Sequence, residues 1–387
     1  MSYTKIVHIN TKNEASIADY ARDIASIWPD DASTAANDFW LYVMKHATKT
    51  CESVRRNQWD ETATSLSEVA VWWLSFMNKV TTKPQENGND LIDWITYIDS
   101  DADQIIWHKY PFFCPHCFGR KASEMGLFDR NDPRKILNNE DIQRIVNEME
   151  KKPKCTCLGE KGPVENRSKE FKDFVSRNVS AYAERSKKEK MPKSMKGFLD
   201  MFGLIYENSA EVLSIEEIAF HLFEEAGEVA TALTDLQRME RTIPDTNEKL
   251  ECAVKERRDK IRAFAEELAD VFSWSNTLVS KINRHLSCAS DLVKKLYMGE
   301  ESAKILTQAF EKAVKENTNL VDLIWRQHST SGSNLVCEHC KKPKCECPPR
   351  YSEHRTAQRS TSQPLEGVAK KVIEEGSKIY GLGPDVL

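Results

Sequence analysis

Glycine and proline are scarce in this chain, at 14 each in 387 residues. With few alternating Thr, Val and Ile positions besides, that scarcity argues against a β-sandwich or a glycine-rich dinucleotide fold. Long apolar runs are missing as well. The longest clean one, VAVWWL at 69–74, falls far short of the ~20 residues that span a bilayer. The opening MSYTKIVHIN lacks the charged-then-apolar layout of a secretory signal. The expectation is a soluble, cytoplasmic protein with no membrane partner. Excess charge of one sign is also absent, since 55 basic residues face 60 acidic ones for a net charge of -5. That removes the strongly basic field of a protein that grips nucleic acid through its phosphates, so nucleic acid is not the expected partner. At ~150 residues per domain, the length leaves room for two or three domains.

Cysteine, by contrast, is plentiful at eleven residues, and eight of these sit in close pairs. The pairs are Cys114 with Cys117, Cys155 with Cys157, Cys337 with Cys340, and Cys345 with Cys347. Cys51, Cys252 and Cys288 stand alone. A disulfide framework belongs to small secreted domains, so in a large chain with no signal and an odd cysteine count metal binding is the better reading. The words repeat: CPHC and KKPKCTC in the first half, then CEHC followed directly by KKPKCEC in the second. A C-x-x-C knuckle plus a C-x-C pair supplies the four thiolates of a closed tetrahedral Zn²⁺ site. Two structural zinc ions are therefore expected, formed within each set or between pairs of the two halves. His116 and His339 lie inside the knuckles but are not needed as ligands once four thiolates are present.

The rest of the chain shows apolar positions at helical period, which predicts an all-α fold. Two helices are expected between 34 and 82 and two more between 213 and 284, each pair followed by a mixed stretch and a C-x-x-C word. Placing SEVAVWWLS (67–75) on EELADVFSW (266–274) sets Glu68 opposite Glu267 and Ala70 opposite Ala269, with Val71 where the second half has Asp270. A looser alignment of the upstream helices puts Met44 opposite Glu225 and Ala47 opposite Glu228. Two related halves follow, the first having lost acids that the second keeps.

Those acids carry the chemistry. Glutamates on a helix are ordinarily a solvated face, but around EEAGE (224–228) and EELAD (266–270) apolar residues cover nearly the full helix circumference. Buried carboxylates must meet a cation or be neutralised. Glu225 with Glu228, and Glu267 with Asp270, each put two carboxylates on one face, so two packed helices present four to a common centre. Such a set suits Mg²⁺ or Mn²⁺, with water and substrate phosphate completing the shell.

The words SIEEIAFHLFEEAGEV and EELADVF on consecutive helices, with the MKGFLD lead-in at 195–200, resemble the all-α, MazG-like nucleoside triphosphate pyrophosphohydrolases. That group also holds the dimeric dUTPases and the phosphoribosyl-ATP pyrophosphohydrolases. The resemblance covers about 195 to 285, with a degenerate echo at 34–82. It implies that Glu225, Glu228, Glu267 and Asp270 hold Mg²⁺ and that Glu224 supports them or activates the attacking water. It further implies hydrolysis of an NTP or dNTP between the α- and β-phosphates. Asn276, Lys281 and Arg284 are the candidate substrate contacts. The charged 238–260 stretch separates the two acidic words by more than the family's usual distance.

Because the family builds its site from four helices of two subunits, the tandem chain is expected to form the same bundle as an intrachain pseudo-dimer; a homo-oligomer remains a further option. The expected division is a degenerate MazG-like half with a zinc site at 1–160, a helical connector at 161–196, and a catalytic half at 197–330. A zinc knuckle at 331–350 and a polar tail with a short helix at 351–387 complete it. Two rivals stand beside the enzyme: a catalytically silent zinc-containing adaptor for nucleic acid or protein, and a nucleotide sensor.

Overall fold

A computed structural model describes residues 13–28, 34–84, 95–129, 132, 135–150, 155, 157, 168–207, 209–240, 247–296, 308, 311, 319–330 and 334–347. Its first helices are α1 (Ile17–Ile27), α2 (Ala36–Arg55), α3 (Trp59–Thr81), α4 (Ala102–Lys109), α5 (Pro115–Glu124) and α6 (Asn139–Glu150). There follow α7 (Lys169–Lys190), α8 (Met195–Ile205), the single turn α9 (Ser209–Val212), α10 (Ile215–Glu240), α11 (Asn247–Leu296) and α12 (Leu320–His328). The strands β1 (Ser329–Thr330) and β2 (Asn334–Leu335) form a short antiparallel pair. The all-α expectation holds among the described residues, and none of their helices is long and apolar enough to cross a membrane. The tail at 351–387, with its expected helix, lies outside them.

The hairpin α2–α3 packs against the hairpin α10–α11 to make a four-helix bundle. Asn57, at φ 55°, closes the first hairpin, a left-handed position that Asn tolerates well. Contacts across the bundle are antiparallel. Trp40 Nε1 donates to the Ala226 carbonyl at 2.8 Å while Cys51 lies against Ala219. On the facing pair, Trp73 Nε1 donates to the Leu268 carbonyl at 3.0 Å and Phe76 meets Phe264 at 5.9 Å. Each indole proton thus finds an acceptor inside the bundle, as a buried Trp requires.

Downstream of each hairpin, a helix crosses to the other one. α4 packs on α11 and on α7, whereas α12 packs on α3. Their sequences correspond, DADQIIWHK (101–109) against NLVDLIWRQ (319–327), and each starts with a side-chain cap, Asp101 to the Gln104 amide and Asn319 to the Asp322 amide. Asp103 also joins α4 to α1, its carboxylate accepting from the Ile17 and Ala18 amides at 2.9 Å each. These are two of the four orphan N–H groups at a helix start.

Two charged stretches are helical, as expected. Helix α11 runs to 50 residues because the charged stretch from 247 continues it, with ion pairs such as Lys260–Glu256 at 2.9 Å and Arg262–Asp259 at 3.2 Å on its solvated side. The helical connector, α7, also takes part in a core of its own. α7 buries Phe171, Phe174, Val175 and Val179 in a second core with Phe113, Phe118 and Ile145. Gly119 on α5 lets α7 approach closely, for a Cβ there would lie 2.4 Å from Val175 Cγ2.

Candidate metal centres

The acidic words meet where α10 and α11 pack. Glu225, Glu267 and Asp270 bring carboxylate oxygens within 4.8 Å of one another, a group that could hold a metal ion. Glu228, one turn along α10, is exposed and outside this group, yet near enough that its charge raises both Glu225 and Glu267. Burial, then the Asp270 charge, pushes the Glu225 carboxyl up to about 9. Burial also lifts Glu267, to about 7; Lys109 opposes the rise and the Asp270 charge adds to it. Three carboxylates in a half-buried cleft therefore repel one another and favour a shared cation.

One such cation is built in. Lys109, the last residue of α4, forms an ion pair with Asp270 and donates to the Glu266 carbonyl at 3.1 Å. Burial pulls the Lys109 ammonium down, but Asp270, Glu267 and Glu266 outweigh it and hold the pKa above its ordinary value. The Tyr110 hydroxyl donates to the other Asp270 oxygen, and burial followed by the Asp270 charge raises its pKa well above normal. Trp274 Nε1 donates to Glu225 Oε1 at 3.2 Å, and His221 stacks on that indole at 4.6 Å. Glu224 itself is exposed, beside His221 Nδ1 at 3.2 Å.

The candidate substrate contacts are placed elsewhere. Asn276 is buried and its amide donates to the Leu199 carbonyl at 3.2 Å. Arg284 pairs with Glu211 at 3.3 Å. Lys281 acts on Glu217 at the start of α10, about 16 Å along the α11 axis from Asp270 at ~1.5 Å per residue. Among the described residues, Lys109 is the cation paired with these carboxylates. Its sequence signal was a lone lysine among apolar neighbours in IIWHKYPFF (105–113).

The cysteines gather as two sets of four, each able to hold zinc: Cys114, Cys117, Cys155 and Cys157, then Cys337, Cys340, Cys345 and Cys347. Sulfur separations in the first set are 3.2 to 3.7 Å, and Cys345 lies 3.4 Å from Cys337 in the second. Four thiolates at ~2.3 Å from a tetrahedral ion stand about 3.8 Å apart, so both sets fit Zn²⁺. Neither set draws cysteines from the other. Each is tied into the fold, by the Cys155 amide on the Ile205 carbonyl at 2.8 Å and the Cys345 amide on the Ile27 carbonyl at 2.7 Å. His116 and His339 are in neither set. Compared with known proteins, the chain matches no family model, no curated protein and no solved structure.

Proposed function

We propose that this protein is a Mg²⁺-dependent nucleoside triphosphate pyrophosphohydrolase whose site lies between α10 and α11. The observation that carries the reading is the convergence of Glu225, Glu267 and Asp270 beside the Lys109 ammonium. Three hard oxygen donors with Glu228 close by suit Mg²⁺ (or Mn²⁺), and an all-carboxylate set without thiol or imidazole disfavours the softer metals. Bound there, Mg²⁺ supplies charge neutralisation for a triphosphate and acidifies a coordinated water.

The chain's own residues do the remainder. Lys109 exchanges part of its contact with Asp270 for a phosphate oxygen, placing positive charge where negative charge builds up on the phosphates during α–β cleavage. Tyr110 and Trp274 fix Asp270 and Glu225 in orientation. Glu224, one residue before Glu225 and open to solvent, accepts a proton from the attacking water. His221 and Trp274, stacked at the edge of the cleft, offer a flat surface for a nucleobase.

The bundle supports the pseudo-dimer half of the proposal. Trp73 and Phe272, equivalent when the two halves are aligned, lie against each other at 5.0 Å, as residues on a two-fold axis do. The exchanged α4 and α12 repeat the same relation. On this reading the first half gives up its acids and serves as scaffold, contributing Lys109 to the second half's site.

The test is pyrophosphate release from a panel of NTPs and dNTPs with Mg²⁺, for the parent and for Glu228→Gln, Asp270→Asn and Glu224→Gln. Turnover in the parent that collapses in Asp270→Asn supports the enzyme. Binding without turnover identifies a sensor. No interaction with any nucleotide but tight binding of RNA or DNA, through exposed lysines such as Lys341 and Lys344, identifies an adaptor.

A further inference from the structure

The position in the first half that corresponds to the carboxylate site is not bare. Glu68, the counterpart of Glu267, lies with His328 and Glu338 in a group whose ligand atoms are all within 4.8 Å of one another. The chain's repeat explains the grouping. His328 follows Gln327 on α12 as Tyr110 follows Lys109 on α4, and α12 delivers them to Glu68 on α3 as α4 delivers Lys109 to Asp270 on α11. Val71 stands where the second half has Asp270, so one carboxylate is missing. Glu338, from inside the CEHC knuckle, takes its place.

A second observation points to a ligand. His328 is fully buried, at 0% exposure, and neither of its ring nitrogens makes a hydrogen bond to the described residues. Its Nε2 lies 3.5 Å from Glu68 Oε1, too far for an N–H···O bond. Two donors sharing a tetrahedral ion at ~2.1 Å stand about 3.4 Å apart. Leaving a buried imidazole unpaired costs stability, and a cation between it and Glu68 relieves that cost at Nε2. The carboxylates are already held for the purpose: the Gln327 amide donates to Glu68 Oε1 at 2.7 Å and to Glu338 Oε2 at 2.8 Å. Such outer contacts orient metal ligands. The Trp28 ring meets His328 edge-on at 5.8 Å and fixes its plane.

We infer that Glu68, His328 and Glu338 form a third kind of metal site, taking one first-row divalent cation of the Zn²⁺ or Mn²⁺ type. One imidazole and two carboxylates form a mixed donor set, harder than the cysteine clusters and softer than the carboxylate triad. Three protein ligands leave a position open to water. Because Glu338 separates Cys337 from the rest of its knuckle, the ion ties that knuckle to the bundle.

The test uses the full chain with its cysteine sites loaded with zinc. Metal content is measured first, and Mn²⁺ is then added and followed by pulsed electron paramagnetic resonance. Nitrogen-14 coupling from an imidazole is expected in the parent and in Asp270→Asn, where the carboxylate triad is disabled, and is expected to vanish in His328→Gln. If zinc already fills the site, the parent holds three zinc ions per chain and His328→Gln holds two. Glu338→Gln, at a position outside the core, is the variant to read if His328→Gln fails to fold, and should weaken Mn²⁺ binding or zinc retention at this site at least tenfold. Two zinc ions per chain with no imidazole coupling, or coupling and metal content unchanged in the variants, overturns the inference. Neither result bears on the pyrophosphohydrolase reading, which rests on other residues.

Discussion

Replacing Lys109 by Met removes the charge from a buried ion pair while keeping most of the side chain's length and volume. Asp270, whose side chain is 12% exposed, is then left beside Glu225 and Glu267 without a cation. Removing one partner of a buried pair costs about 3–5 kcal/mol, and the neighbouring carboxylates place the loss in that range despite slight solvent access. If the triad is a Mg²⁺ site, the metal takes over the role of the ammonium. Occupancy at a hundred times the dissociation constant contributes about 2.7 kcal/mol, so saturating Mg²⁺ should recover most of the loss. Mg²⁺ should also bind Lys109→Met more tightly than the parent, since the competing cation is gone. Turnover should still fall about a hundredfold or more, equivalent to about 2.7 kcal/mol of transition-state binding, because the phosphate has lost its own cation. The assays are urea denaturation of the zinc-loaded protein across a Mg²⁺ series and pyrophosphate release at saturating Mg²⁺. A stability gap that Mg²⁺ leaves unchanged would refute the shared-cation argument, and undiminished turnover would refute the phosphate role.

Other expectations come from the same geometry. In the Mg²⁺-free protein, burial and the Asp270 charge lift Glu225 from its ordinary 4.5 to about 9, and burial lifts Glu267 to about 7. The folded state therefore holds more protons than the unfolded one across that window. Stability from these groups is fully present below about pH 4.5, declines as pH rises and is lost above about pH 9; denaturation midpoints in Mg²⁺-free buffer should fall with pH, and Mg²⁺ should flatten the fall. A strong chelator that strips zinc should unfold the chain or collapse its near-ultraviolet dichroism, whereas Mg²⁺ removal alone should only silence turnover. Gly119→Ala should destabilise by about 1–3 kcal/mol through its clash with Val175 and Phe171, measurable as a lowered midpoint with activity per folded molecule retained.

What was legible in the sequence is what repeats locally. The paired cysteines, the helical period and the two acidic words are each set within a few residues, and the described structure brings Glu225, Glu267 and Asp270 together and gathers the cysteines in two sets of four. Spacing could not reveal which distant side chain would answer the buried carboxylates. The acidic helices carry Lys281 and Arg284, but the cation that answers the carboxylates comes from α4, 161 residues before Asp270. Helical period places Asn276 near the acidic face, and in the fold its amide donates to the α8 carbonyl of Leu199. The connector's charge and helical period are local, whereas the stripe of apolar residues that the CPHC segment covers has its partner about 50 residues upstream.

The exchange of α4 and α12 gives the two halves different fates without changing the bundle. In both, a helix ending near a C-x-x-C word lays its last residues on the acidic helix of the opposite half. Where that end reads Lys-Tyr, it meets Glu267 and Asp270, adding a positive charge and a hydroxyl to a site rich in carboxylate. Where it reads Gln-His, it meets Glu68 opposite Val71, adding an amide and an imidazole to a site with one acid fewer. The change at each end matches the change in acid content on the helix it touches. Gln327→Lys would give Glu68 a cation that competes with a metal, and Lys109→Gln would leave three carboxylates unanswered. Lys109→Gln and Gln327→Lys should therefore each destabilise the protein, and the double replacement should cost about the sum of the two, because the two ends touch no common group. Thermal denaturation of the three variants measures this, and a variant as stable as the parent would mean that its end is independent of the acids it faces.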